Sequence, residues 1–362
     1  MRVLHYASRT VATVALLALA AGCSSDSTAP DAPYDSSGTS ADLAAIDESF
    51  DAPALEAYAA ASAQISAVVG GSAGAAVLAA PSAAIARDGK AGALRYAASL
   101  ARHYNVGGIR PSFSTAAIPA EYLGVTFVYD VDTDTYVASE LTGAPSNGVR
   151  FVLYAVNPVT GFPVEPLVQV GHADLTVSET VSSYSAHVIV VSGGVTYLDY
   201  AVVASGGISS ANVSIGGYAT NGTDRVNFDL ETTITGSEAA GLGLAIDYLL
   251  VVPTRGGFRL EIEAATTGLG TETTVTTLNL EARGDHGTVD IQGSETNGVG
   301  SFEVDVNGDL FATITMTGGA GPVIQGADGQ PLSEADQGVL LAIWAMFADG
   351  FDFFEDLIDP IV

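Results

Sequence analysis

Between Thr223 and Thr317 apolar and polar residues alternate with a period of two, and this constrains what the chain can fold into more than any other feature. Val226, Phe228 and Leu230 alternate with Arg225, Asn227, Asp229 and Glu231. Leu260, Ile262 and Ala264 alternate with Arg259, Glu261 and Glu263, and Phe302, Val304 and Val306 with Glu303, Asp305 and Asn307. Successive side chains of a strand point to opposite faces, so each run predicts a strand with one apolar face and one polar, mostly acidic face. Turn signals at Asn221-Gly222, Gly256-Gly257, His286-Gly287, Asn297-Gly298 and Asn307-Gly308 separate the runs. Short connections pair sequential strands, which makes the expected fold mainly β, an antiparallel β-meander forming a curved sheet or an open barrel.

Upstream, TFVYD and TYVAS read as a hairpin, followed by a GAPSNG loop and strands over Val149 to Val156, Val168 to Val177 and Tyr184 to Val191. Gly193-Gly194 joins the last of these to Val195 to Ala204. In that hairpin Val188 and Val190 fall on one side and Ile189 and Val191 on the other, which predicts a central position covered on both faces. The one-sided strands also need their apolar face hidden, at about 25 cal/mol per Å² of apolar surface. The candidate cover is the C-terminal stretch Ser333 to Ile358, where Leu340, Ile343, Trp344, Phe347 and Phe351 recur at helical spacing. These five are the expected ligand-facing residues if an apolar space lies between sheet and helix. Alanine-rich helices are expected earlier, over Asp42 to Val69, divided at Pro53, and over Ser82 to Tyr104, which carries Arg87, Lys90, Arg95 and Arg102.

Residues 11 to 22, VATVALLALAAG, form an apolar run behind Arg2 and Arg9 that ends at Cys23, the single cysteine. The run is too short to span a bilayer as a helix. The order Leu19, Ala20, Ala21, Gly22, Cys23 resembles the lipobox of bacterial lipoproteins. That resemblance implies cleavage before Cys23, lipidation of its thiol and anchoring to a cell-envelope membrane. Ser24 resembles the residue found there in lipoproteins sorted to an outer membrane. The expected organisation is a signal peptide over 1–22, a flexible Ser-, Asp- and Pro-rich tether over 23–40, an alanine-rich helical region over 41–120, a β domain over 121–320 and a C-terminal helix over 331–362.

Formal net charge is −29, and beyond Arg283 no Lys or Arg follows. Such a field repels nucleic acid and favours cations or a basic protein partner, although solubility alone also accounts for it. Asp130, Asp132 and Asp134 in DVDTDTYVASE nearly match a calcium loop, but Thr135 stands at the glycine position and Glu140 falls one residue early. Hairpin-turn chemistry explains the same residues, which leaves calcium as a weak metal candidate and no other cofactor indicated. His5, His103, His172, His187 and His286 are too scattered in sequence for a zinc set, and His187 reads as a hydrogen-bonded sheet residue. Gly70-Gly71-Ser72-Ala73-Gly74 matches the nucleophile elbow in letters only, because an alanine-rich helix rather than a strand precedes it. Asp199 with Asp229, or Glu261 with Glu303, are the acid pairs that a fold could bring across strands for hydrolysis, although an acidic solvated face is the commoner source of such residues.

The block running from TFVYD through TYVAS and GAPSNGVRFVLYAVNPVTG to TYLDYAVV resembles an uncharacterised group of bacterial lipoproteins, which implies no activity and no functional residues. By architecture alone, the expected sheet and covering helix resemble lipoprotein carriers of the envelope, whose curved sheet holds acyl chains. The functional expectation is a membrane-anchored, non-enzymatic envelope lipoprotein holding a lipid or other hydrophobic ligand. The alternative is a structural or interaction module with an acidic cation-binding face, and an envelope hydrolase ranks third.

Overall fold

The computed structural model describes residues 33–69, 118–157, 160–179, 183–206, 210–237, 241–269, 271–317, 322–344 and 346. The chain divides into residues 1–31, which lie outside the described residues, and a second unit over residues 32–362. The expectations for the leader, Cys23, the first part of the tether, Gly70 to Gly74, the helix Ser82 to Tyr104, and Phe347 and Phe351 also fall outside the described residues.

The second unit is mainly β. One open sheet contains strands β1 Thr126–Asp130, β2 Thr135–Ser139, β3 Gly148–Tyr154, β4 Gln169–Glu179, β5 Ser183–Ser192, β6 Val195–Gly206, β7 Ser210–Thr220 and β8 Arg225–Ser237. It continues through β9 Gly241–Val252, β10 Phe258–Leu269, β11 Val275–Gly284, β12 Gly287–Thr296, β13 Val299–Val306, β14 Asp309–Thr317 and β15 Val323–Gly326. From β3 to β15 every strand pairs antiparallel with its sequence neighbour, and after β4 the connections are short turns. The turns carry the backbone that the sequence signals called for: Asn297 and Gly298 have φ of 52° and 84°, and Asn307 and Gly308 have 52° and 82°. Near His286 the turn sits one residue earlier than the signal, because Gly287 already opens β12.

The meander has one exception. β3 pairs parallel with β1 rather than antiparallel with β2, so the order at that end is β4-β3-β1-β2. Aromatic packing accounts for the placement: Phe127 stacks on Phe151 at 5.1 Å, and Tyr136 meets Phe151 edge-on at 5.4 Å. The sheet does not close, since β15 and β2 are its two edges.

Alternation places one apolar face inward along the strands. Val226, Phe228 and Leu230 are buried, as are Leu260 and Ile262 and, on β13, Phe302 and Val304. On β5 and β6 the expectation of two covered faces is corrected. Val188 and Val190 are buried, whereas Ile189 and Val191 are only partly so, and Val203 is 41% exposed. β-branched residues satisfy strand preference on either face, so apolar character there did not require a second layer.

Helices pack on the inner face. Helix α1 spans Ser36–Glu48 and begins inside the stretch read as tether, where Asp35 accepts a hydrogen bond from the Ser37 N–H as an N-cap. Helix α2 spans Pro53–Val69, with proline at its first position, where no backbone donor is lost. Its Tyr58 hydroxyl bonds the Tyr200 hydroxyl of β6 at 2.9 Å, and both side chains are buried. Helix α3 covers residues 334–344 and is capped by Ser333, whose Oγ accepts from the Asp336 N–H at 3.1 Å.

Candidate functional site

The C-terminal helix uses its apolar face in the core. Leu340 and Ile343 are fully buried, and Trp344 meets Phe302 of β13 edge-on at 5.4 Å. Space for Phe302 comes from Gly293, opposite it in register on β12; a Cβ there would stand 2.7 Å from the Phe302 Cα and 2.8 Å from its ring. Of the three described members of the expected ligand-facing set, Leu340 and Ile343 thus lie in the buried core and Trp344 packs against it.

The exposed face gathers acids that sequence spacing alone did not place together. Glu231 of β8 lies in register with Asp247 of β9, and Asp247 with Glu263 of β10. Directly opposed side chains on neighbouring strands stand about 4.5–5.5 Å apart at Cβ, so the three carboxylates form one row. Amides flank the row: Asn212 donates to Glu231 at 2.8 Å and Asn279 to Glu263 at 3.4 Å. Asp247 is pushed above the ordinary carboxylate range by burial and by the charges of Glu263, Glu231 and Glu261. A second row runs Glu261, Glu281, Asp290 and Asp305 across β10 to β13, where Glu261 also contacts Arg259.

The expected acid pairs do not form. Asp199 lies opposite Tyr218, and Asp229 opposite Gly216. Glu261 and Glu303 lie three strands apart, at about 4.8 Å per strand. Asp199 instead bonds His187 Nε2 at 2.6 Å, which is the sheet role expected of that histidine. Asp174 pairs with Arg150 through two bonds of 2.6 and 2.7 Å. His172 beside that pair is held below its ordinary value, by burial first and then by Arg150.

In the β1–β2 turn, Asp130 accepts from the Asp132 N–H at 3.1 Å and from the Thr133 hydroxyl at 3.0 Å. Asp134 accepts from the Tyr129 hydroxyl at 3.0 Å. Two of the three aspartates of the calcium near-match thus serve turn and ring positioning. Among the described residues no group of three or more His, Cys, Asp or Glu is arranged to hold a metal ion.

One concavity was not foreseen. A cavity of about 50 Å³ lies between α2 and the β1–β3 end of the sheet, lined by Gln64, Tyr129, Tyr136, Tyr154 and Phe162 among others. Its sequence signal was present but faint: three tyrosines on three neighbouring strands and an alanine face on α2, each explained equally well by ordinary packing. Compared with protein-family models, with curated proteins and with solved structures, the chain matches none.

Proposed function

We propose that this chain is a lipid-anchored, non-catalytic protein of a bacterial cell envelope that presents the acidic outer face of its sheet to a basic protein partner. The observation that carries the reading is the row Glu231, Asp247 and Glu263, in register on three adjacent strands. Like charges directly opposite one another destabilise a sheet, and a basic partner converts that cost into binding. Anchoring rests on the lipobox resemblance at Cys23, and outer-membrane placement on Ser24. Among the described residues no helix is long and apolar enough to cross a membrane. A sheet whose acids face outward and whose apolar side meets helices is the reverse of a barrel that faces lipid.

The test is calorimetry of the full chain with poly-lysine, comparing wild type with the triple variant E231Q/D247N/E263Q. The expected result is binding at low salt that weakens at least tenfold in the variant. Equal affinities would mean that poly-lysine responds to net charge rather than to this row, and would overturn the reading.

A second reading, a hydrophobic ligand between sheet and helices, is favoured by the breadth of the apolar face, which has buried apolar residues on every strand from β1 to β14. Native mass spectrometry of protein purified from its own membranes tests it. Copurified lipid retained on the protein would support this reading, and protein free of lipid would contradict it.

A further inference from the structure

The cavity under α2 is lined by alanines, aromatic rings and one amide. Ala57, Ala60, Ala61 and Gln64 lie at helical spacing on one face of α2. The alanines leave room where larger side chains would fill it, and Gln64 is the amide member of that lining. The Gln64 Oε1 is enclosed and has no hydrogen-bond partner among the described residues. An amide oxygen left this way loses its water without compensation, and a donor supplied by a ligand restores the bond.

The remaining walls are aromatic. Tyr129 and Tyr136 are buried, with ring centroids 5.8 Å apart. Their hydroxyls are committed, Tyr129 donating to Asp134 at 3.0 Å and Tyr136 to the Val152 carbonyl at 2.9 Å. Tyr154 adds a third ring and Phe162 a fourth, the latter 56% exposed. The segment carrying Phe162 is folded back on itself, with the Asn157 N–H donating to the Phe162 carbonyl at 2.9 Å and the Val164 N–H to the Ala155 carbonyl at 2.9 Å. Among the described residues no Lys or Arg lines the cavity. Asp134 and Glu165 lie near enough to Tyr129 that their charges reinforce the effect of burial on its hydroxyl.

We infer that this cavity binds a small organic ammonium ion, its charge against the rings of Tyr129, Tyr136, Tyr154 and Phe162 and its N–H, where it has one, donating to Gln64 Oε1. A volume of about 50 Å³ admits roughly three to five heavy atoms, at 10–15 Å³ for each water-sized unit. That matches an alkylammonium head group or the end of a lysine side chain, and it excludes an acyl chain. Cation–π attraction supplies the selectivity over neutral molecules of the same shape.

The experiment is ligand-detected NMR on the full chain with three probes: methylammonium, tetramethylammonium and the neutral tert-butanol. Both cations are expected to bind and tert-butanol to bind much more weakly. Phe162→Ala, at an exposed position that leaves the core intact, is expected to weaken both cations about 2- to 30-fold. Gln64→Leu is expected to weaken methylammonium and to spare tetramethylammonium, which has no N–H to donate. The triple variant E231Q/D247N/E263Q, remote from the cavity, is expected to change neither, which separates this site from general attraction to a negative protein. Tert-butanol binding as tightly as the cations, or cation binding indifferent to Phe162→Ala and Gln64→Leu, would overturn the inference and leave the cavity to water.

Discussion

Replacing Ile343 by alanine tests whether the C-terminal helix is an integral cover of the sheet. Ile343 is 0% exposed, and the substitution removes three carbon atoms from the helix–sheet contact. At about 0.8 kcal/mol per buried carbon, the transfer loss alone is about 2.4 kcal/mol. The space left behind adds to it, giving about 3–4 kcal/mol, within the usual range for such truncations. Leu341, the neighbour two positions earlier, is 43% exposed, so Leu341→Ala keeps the helix and gives up little packing; its expected cost is within about 0.5 kcal/mol. The assay is urea unfolding followed by the fluorescence of Trp344, the single tryptophan, which sits on Phe302 and reports this contact directly. The midpoint for Ile343→Ala is expected to fall well below those of wild type and Leu341→Ala. Two variants that unfold together would refute the packing argument.

Asp247→Asn is expected to raise the thermal midpoint at neutral pH. The pKa of Asp247 is raised by burial and by Glu263, Glu231 and Glu261, so its penalty is absent below the ordinary value of 3.8 and grows as pH rises through the folded value. Calorimetric scans should therefore show the gain at pH 7, a smaller gain in high salt and none at pH 3. Asp224→Asn should behave in the opposite way. The Asp224 pKa is lowered by its bonds to Arg255 and Thr254, so the variant costs about 1–2 kcal/mol at neutral pH, a difference that disappears as pH falls through the depressed folded value. Gly293→Ala places a Cβ against the Phe302 backbone and ring and should cost about 1–3 kcal/mol while shifting Trp344 emission.

The meander was legible because alternation and turn chemistry are local. Val226, Phe228 and Leu230 declare a face, and Asn297-Gly298 and Asn307-Gly308 declare where the chain reverses. Helix α2 was legible for a similar reason, through Pro53 and the spacing of Leu55, Tyr58 and Ile65. What was not legible depends on register. Nothing in the order of residues says that Glu231, Asp247 and Glu263 come level, because that follows from the lengths of two turns and from the twist that carries one strand past the next. Asp199 and Asp229 failed to meet for the same reason. The exception at β3 was hidden because the contact that accompanies it, Phe127 stacked on Phe151, joins residues far apart in the sequence. The tyrosine cavity was hidden because three tyrosines and four helix positions converge only in space. α1 began earlier than expected because Asp35, in a stretch rich in Ser and Asp, acts as a helix cap rather than as part of a tether.

Where poly-lysine lands on the protein tests the proposed role of this face most directly. Carbodiimide cross-linking of poly-lysine to the full chain, followed by peptide mass spectrometry, joins lysine amines to the carboxylates they touch. The account predicts adducts concentrated on Glu231, Asp247 and Glu263, reduced by competing salt and sparse on a surface acid outside the rows such as Asp328. Adducts spread evenly over all exposed carboxylates would contradict it.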